Sequence, residues 1–166
     1  MANVVCEILV TEAPLEAPPK NHDGDAGGMV EFWGVVRRFE DSREIQGIDY
    51  EAYREMAQHQ LKRIAEEAAK EYGLKLVILH HRIGFIAVGE PSLFLRVASP
   101  HRSEGFRASQ WIVDELKKKV PIWKKPRFSR DAVAGLGDAS GRGETSEGIG
   151  KRSGSPILAR TNRATV

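Results

Sequence analysis

A change of hydrophobic period constrains this chain more than any other feature. Up to residue 53 the apolar residues alternate or run together, as they do in strands; from Arg54 to Tyr72 they recur at helical spacing. Ala57, Leu61, Ile64, Ala65, Ala68 and Tyr72 make one stripe, with Lys, Arg and Glu on the other face, which predicts an amphipathic helix lying on a core. Gly73 follows at once, where a helix C-cap would place it. A second stripe, Phe106, Ser109, Ile112, Val113, Leu116 and Val120, predicts a helix from Ser103 to Lys119. Pro121 ends it, because the residue before a proline disfavours the helical region.

Runs of Val, Ile, Leu and aromatics predict strands at 3–11, 28–39, 48–53, 74–84, 85–89 and 92–100. The stretch from Ala13 to Gly28 holds Pro14, Pro18 and Pro19 and reads as a loop, and residues 40–47 read as a polar turn. The order β, β, β, α, β, β, β, α is an α+β arrangement: a mixed or antiparallel sheet with two main helices. Beyond Trp123 the composition shifts. Residues 129–166 are rich in Gly, Ser, Arg and Thr and contain no aromatic, so a disordered C-terminal tail is expected. The expected organisation is a domain over 1–125 followed by a low-complexity segment over 126–166.

At 166 residues the chain has room for one domain with a real core and is short for two. No stretch approaches the roughly 18 apolar residues of a membrane span. The N-terminus lacks the basic and apolar regions of a signal peptide, so a cytoplasmic location is expected. The single cysteine, Cys6, excludes an internal disulfide and a cysteine-based zinc site. Its neighbours Val5 and Ile8 point to packing rather than nucleophilic chemistry. Phosphate loops of the Walker and dinucleotide types, the HExxH motif and the Gly-x-Ser-x-Gly elbow are all missing from the sequence.

What remains is a set of basic residues at element ends, where a rigid scaffold usually carries function. Arg37 and Arg38 close the second strand, and His101 and Arg102 precede the second helix. Lys117, Lys118 and Lys119 finish that helix, with Lys124 and Lys125 just after it. Ser103 is placed to cap the helix, whose first-turn amides with His101 and Arg102 would make an anion site. Two arginines, a histidine and two lysines suit a small, strongly anionic substrate or a negatively developing acyl transition state. Blander readings stand beside this one. Lysines at a helix C-terminus are favoured by the macrodipole alone, His101 can be a simple cap, and arginines at a strand end are commonly surface residues. In Pro121-Ile122-Trp123-Lys124-Lys125, packing of Trp123 is expected to fix where Lys124 points.

Five segments resemble, in order and spacing, the catalytic (large) subunit family of molybdopterin synthase. They are Phe32-Trp33-Gly34-Val35-Val36-Arg37; Tyr50-Glu51-Ala52-Tyr53 with Met56-Ala57; and His81-Arg82-Ile83-Gly84 with Val88-Gly89-Glu90. Ser99-Pro100-His101-Arg102 with Phe106, and Lys117 with Val120 to Lys125, complete the set. The resemblance covers roughly residues 3–125 and implies an α/β-hammerhead fold and a homodimer that becomes a heterotetramer by docking a small subunit at each end. That small subunit is ubiquitin-like and ends in Gly-Gly bearing a thiocarboxylate. The implied reaction is a sulfurtransferase step of molybdenum cofactor biosynthesis, in which the tail gives its sulfur to cyclic pyranopterin monophosphate to form the molybdopterin dithiolene. No cofactor or metal is implied beyond the partner's sulfur. By position, Lys117 and Lys124 match the family's catalytic lysines. Arg37, His101 and Arg102 match residues that bind the anionic pterin, some of them across the dimer interface, and Phe32 would wall the pocket.

The chain departs from the family at Pro126, where an acid usually follows the lysine pair and is placed to orient Lys124 or Arg37. With a permitted choice of codons for 126–138, the frame two bases later spells Glu-Val-Phe-Ala-Gly-Cys-Gly-Arg-Trp-Val-Gly and a stop, which is family-like. The tail is therefore expected to be out of frame, a matter that sequencing the gene across this junction decides. Two other functions stay open on sequence alone. One is a non-catalytic copy that only binds the small subunit. The other is a nucleic-acid-binding domain built on the basic run 117–130 with Trp123 and Phe128 interleaved, against which stands a net charge of only +2.

Overall fold

The structure is a computed structural model that describes residues 4–20 and 24–130. Its strands are β1 (Val5–Thr11), β2 (Gly28–Val35), β3 (Phe39–Glu40), β4 (Arg43–Ala52), β5 (Leu76–Arg82), β6 (Gly84–Ala87), β7 (Pro91–Ser99) and β8 (Ile122–Phe128); its helices are α1 (Arg54–Tyr72) and α2 (Arg102–Lys119). The α+β architecture, with two main helices and both parallel and antiparallel pairing, is as the sequence predicts.

The larger sheet has the order β1-β5-β7-β2. β1 runs parallel to β5, and the other pairs are antiparallel. Strand alternation turns Cys6, Ile8 and Val10 toward the helices and leaves Val5 and Leu9 exposed on the far face. The α1 stripe of Ala57, Leu61, Ile64, Ala65 and Ala68 meets Ala108, Ile112 and Leu116 of α2 over Val77, Leu79, Leu95 and Val97 of the sheet. Small residues at the helix contacts let α1 and α2 approach the sheet closely, and this layer is the main core. Gly73 closes α1 with φ 63°, its N–H bonding the carbonyl of Ala69; a left-handed residue here favours glycine.

On the far face the proline-rich segment lies across the sheet as a strap. Leu15 packs with Ile78 and Phe94, and Arg96, only 1% exposed, reaches up through the sheet to hold it. The guanidinium donates to Glu31 Oε1 at 2.9 Å, to the Pro19 carbonyl at 3.0 Å and to the Pro18 carbonyl at 2.7 Å.

A second, smaller sheet has the order β3-β4-β6, with β8 also paired to β4. It encloses Val36, Ile45, Ile48 and Ile86, with Val88, Phe128 and Tyr50 packed against them. Gly47 is required where β4 meets β6: a Cβ there would stand 2.4 Å from the Ile86 carbonyl oxygen and 2.6 Å from the Phe85 ring.

The fold departs from the sequence-based expectation in three places. The expected strand over 28–39 is interrupted, because a bulge at Gly34/Val35 ends β2 and Val36 turns away to bury itself in the second core. The expected turn over 40–47 shrinks to Asp41 and Ser42, with φ 49° and 62°, the two-residue hairpin geometry whose twist matches its strands. The residues after it belong to β4, whose apolar alternation a second bulge between Ile45 and Gly47 disguises. Finally, residues 122–128 form a strand where none was expected, three residues past the expected domain end at 125. Among the described residues β8 pairs only with β4, and a sheet-edge strand tolerates Pro126. The expected disordered tail lies outside the described residues.

Candidate functional site

The candidate residues fall at the two ends of α2, a rigid rod of 18 residues. Arg102 and Lys117 are fifteen positions apart on it, about 22 Å along the axis at ~1.5 Å per residue.

At the N-terminal end the helix starts at Arg102. His101 is the N-cap residue but makes no side-chain capping bond, so Ser103 lies inside the first turn and is not the cap expected from sequence. The Ser99 hydroxyl donates to the His101 carbonyl at 2.7 Å and ties down the strand–helix corner. Glu104 occupies the first turn itself: the N–H of its own residue, then the Ser103 hydroxyl, hold its carboxyl below the usual range, with further help from His101 and Arg107. An amide cradle open to an incoming anion is therefore not what this helix end offers. It offers two exposed side chains, His101 and Arg102. The start of β2 abuts them, since a Cβ on Gly28 would stand 3.4 Å from the Arg102 Cα.

At the C-terminal end the lysine run resolves into unlike residues. Lys118 and Lys119 converge on one carboxylate, with Nζ–O distances of 3.1 and 2.6 Å to Glu115. Lys119 is the first cause of the low Glu115 carboxyl pKa. These two fit the bland reading of a solvated helix end. Lys117 is exposed and has no acidic partner among the described residues.

After the connection through Val120 and Pro121, β8 carries Lys124 opposite Tyr50. Strand alternation puts Trp123, which stands opposite Glu51, on the other face from Lys124. The expectation that Trp123 aims Lys124 is thus corrected: the partner is Glu40, whose Oε1 accepts from Lys124 Nζ. Arg37 lies at 3.6 Å from Glu40 Oε2, so one carboxylate bridges two candidate residues. Its side chain is only 13% exposed. Sequence reading passed over Glu40 as part of a polar turn. Its available signal was an acid three residues after Arg37 and directly before a tight Asp-Ser turn.

Tyr50 supports this cluster from below; burial raises its phenol pKa, partly offset by a hydrogen bond with Ser92. Behind it His81 stands edge-on at 5.4 Å between ring centroids. Burial pushes the His81 imidazole down to about 4, and its Nδ1–H donates to the Arg82 carbonyl at 2.8 Å. Phe32, 40% exposed, sits on β2 between the two ends of the helix, opposite Leu95. Cys6 is partly buried against the main core, and burial raises its thiol pKa, which favours packing over nucleophilic chemistry.

The structure thus brings Arg37 and Lys124 together on Glu40, sets Lys117 free beside the same end of α2, and holds His101 and Arg102 at the other end. A groove of roughly 420 Å³ lies elsewhere, on the strap face of the large sheet, lined by Leu9, Thr11, Pro14, Leu15, Glu16 and His80. None of the candidate residues lines it. Among the described residues no cluster of His, Cys, Asp or Glu could hold a metal ion, and no helix is long and apolar enough to cross a membrane.

A two-sheet α+β scaffold with cations at both ends of one helix defines a class that comparison with known proteins identifies. The chain matches the MoaE protein family over residues 10–119 and belongs to it. The molybdopterin synthase catalytic subunit of Thermoplasma volcanium is 38% identical over 126 residues, spanning 75% of this chain and 92% of that protein. The catalytic subunit of the same enzyme from Pyrococcus abyssi is 43% identical over 99 residues, 60% of this chain and 67% of the relative. Among solved structures, molybdopterin synthase from Staphylococcus aureus superposes with a TM-score of 0.67 at 29% identity, covering 75% of this chain and 91% of that one.

Proposed function

We propose that this chain works as the catalytic subunit of molybdopterin synthase, moving sulfur from the thiocarboxylate tail of a small ubiquitin-like partner to cyclic pyranopterin monophosphate. One observation carries the reading. In a chain of this family, Lys117 stands free of any described acid while its two neighbours are tied to Glu115, and Lys124, on the strand that follows the same helix end, is paired with its own carboxylate.

In this reaction the tail sulfur bonds to a pterin carbon, which gives up its oxygen substituent, and water attacks the acyl carbon so that the tail's carbon–sulfur bond breaks and leaves a carboxylate. Negative charge gathers on the acyl oxygen and on the departing group. Lys117 and Lys124 stabilise that charge, and a fixed ammonium needs no reorganisation as the charge forms. Arg37, His101 and Arg102 bind the anionic pterin, with Phe32 as a wall. The sulfur arrives on the partner, so the chain uses no cofactor and needs no thiol of its own.

The 22 Å between Arg102 and Lys117 means one chain cannot assemble this set. β2 is one of the two edge strands of the large sheet, running from the His101–Arg102 end toward Arg37, with Phe32 and Val35 exposed along it. A second copy related by a two-fold axis across that edge exchanges the two ends, so that each site draws Lys117, Lys124 and Arg37 from one protomer and His101 and Arg102 from its partner.

The test is turnover by the purified chain with a thiocarboxylated small subunit and cyclic pyranopterin monophosphate, reading molybdopterin as its fluorescent oxidised derivative. Product that is lost in Lys117→Ala is expected. A folded chain that binds the small subunit and makes no product refutes the catalytic reading and leaves a docking protein.

A further inference from the structure

We infer that Glu40 is the positioning residue of this site, the carboxylate that holds Lys124 and Arg37 in working geometry. The inference rests on the proposed sulfur transfer for its kinetic consequence but on contacts alone for its structural one. Glu40 Oε1 accepts from Lys124 Nζ, and Glu40 Oε2 faces Arg37 at 3.6 Å. The two cations come from separate parts of the chain, one on β8 and one on the segment leaving β2.

The mounting of this carboxylate is unusual. Glu40 ends the two-residue strand β3 and pairs with Arg43 across a turn in which both residues, Asp41 and Ser42, hold positive φ. Positive φ at both loop residues is the geometry of a tight two-residue hairpin, which holds Glu40 at a fixed place beside β4. The Glu40 side chain is 13% exposed and that of Lys124 37%, so water screens this pair less than at an open surface, and Arg37, 79% exposed, is the weaker partner. The tight hairpin fixes the Glu40 backbone, and burial of its side chain limits where the carboxylate can point. In function, Glu40 fixes the direction of one ammonium and one guanidinium; it does not touch substrate.

Position 126 offers a check that keeps the charge. Residues two apart on a strand share a face, so a carboxylate replacing Pro126 lies on the Lys124 side of β8, close enough to replace Glu40. The experiment compares wild type, Glu40→Gln, Glu40→Asp and the double variant Glu40→Gln/Pro126→Glu, all as full chains. Two readouts are taken: acetylation rate of each lysine at fixed pH by peptide mass spectrometry, and kcat and KM for molybdopterin formation.

Glu40→Gln is expected to speed acetylation of Lys124 several-fold with Lys118 as the unmoved internal control. It lowers kcat about tenfold, the order expected when a reacting group is misplaced, while affinity for the small subunit stays. Glu40→Asp and the double variant recover both readouts. Unchanged acetylation of Lys124 in a folded Glu40→Gln protein overturns the pairing. Changed acetylation with unchanged kcat overturns the positioning role. If wild type makes no product at all, the sulfur-transfer reading falls, and acetylation still decides the pairing.

Discussion

Replacing Arg96 by methionine tests how the proline-rich strap is held. Methionine keeps most of the aliphatic stem and removes the guanidinium. Three hydrogen bonds disappear, to Glu31 and to the carbonyls of Pro18 and Pro19. Hydrogen bonds from charged donors are worth about 1.5–3 kcal/mol each, but the sum overcounts. Pro19 is exposed, so water replaces the lost donor there, and Glu31 keeps Lys20 at 3.6 Å. Breaking a buried ion pair by removing one member costs about 3–5 kcal/mol. Because the Glu31 side chain is 24% exposed, the lower end applies, about 3 kcal/mol. For a domain of this size that lowers Tm by roughly 10 °C. The assay is thermal denaturation by circular dichroism beside timed trypsin digestion, in which cleavage after Lys20 should accelerate. Arg96→Lys, which keeps the charge but loses the planar fork, should fall between the two proteins. A methionine variant melting within about 2 °C of wild type would refute the strap as a guanidinium-held element and leave Leu15 packing and the Lys20–Glu31 pair to anchor it.

Three further outcomes follow from the site. Lys117→Ala should lower kcat by about 10²–10³-fold, the range for loss of one charge-stabilising donor, while Lys118→Ala and Lys119→Ala stay within about threefold, as expected for exposed helix-end pairs; comparable losses in all three would indicate a diffuse cationic patch. Mixing inactive Lys117→Ala with inactive Arg102→Ala protein should restore activity, because half the sites of a mixed dimer inherit both intact residues; no recovery after subunit exchange rules out a site shared between copies. His81 is buried with its imidazole pushed down to about 4, below the unperturbed value of about 6.5. The unfolded chain then binds more protons between those values, so stability present above pH 6.5 is lost as pH falls toward 4, by up to about 3 kcal/mol. His81→Gln should flatten the Tm decline between pH 7 and 4.5, and an equally steep decline in that variant removes His81 as the cause.

The elements that sequence made legible are those whose pattern is local. The α1 stripe gives the helix bounds directly because burial against the sheet repeats every three to four residues, and Gly73 marks the end. Lys117 and Lys124 are visible as charges placed beside a helix-breaking proline. What sequence could not give depends on contacts distant along the chain. β8 forms because β4 supplies its hydrogen bonds, which overrides a composition of lysine and proline that disfavours strands. Glu40 acquires its meaning from Lys124, 84 positions away. The pattern of β4 is blurred by the bulge between Ile45 and Gly47, which moves side chains off strict alternation. The N-terminus of α2 misleads for the opposite reason: Ser103 is a good capping residue by type, but Ser99, buried under Gly105, ties down the His101 carbonyl, and the cap falls on His101, two residues before Ser103.

The length of α2 also sets how the protein responds to dilution. A straight helix cannot bring its own two ends together, so no internal motion of one chain completes the set of cations. In the proposed site shared between two copies, completion is an encounter between molecules and obeys mass action. Specific activity should therefore hold constant at high protein concentration and decline once the chain is diluted below the dissociation constant of its dimer, with the folded protomer intact throughout.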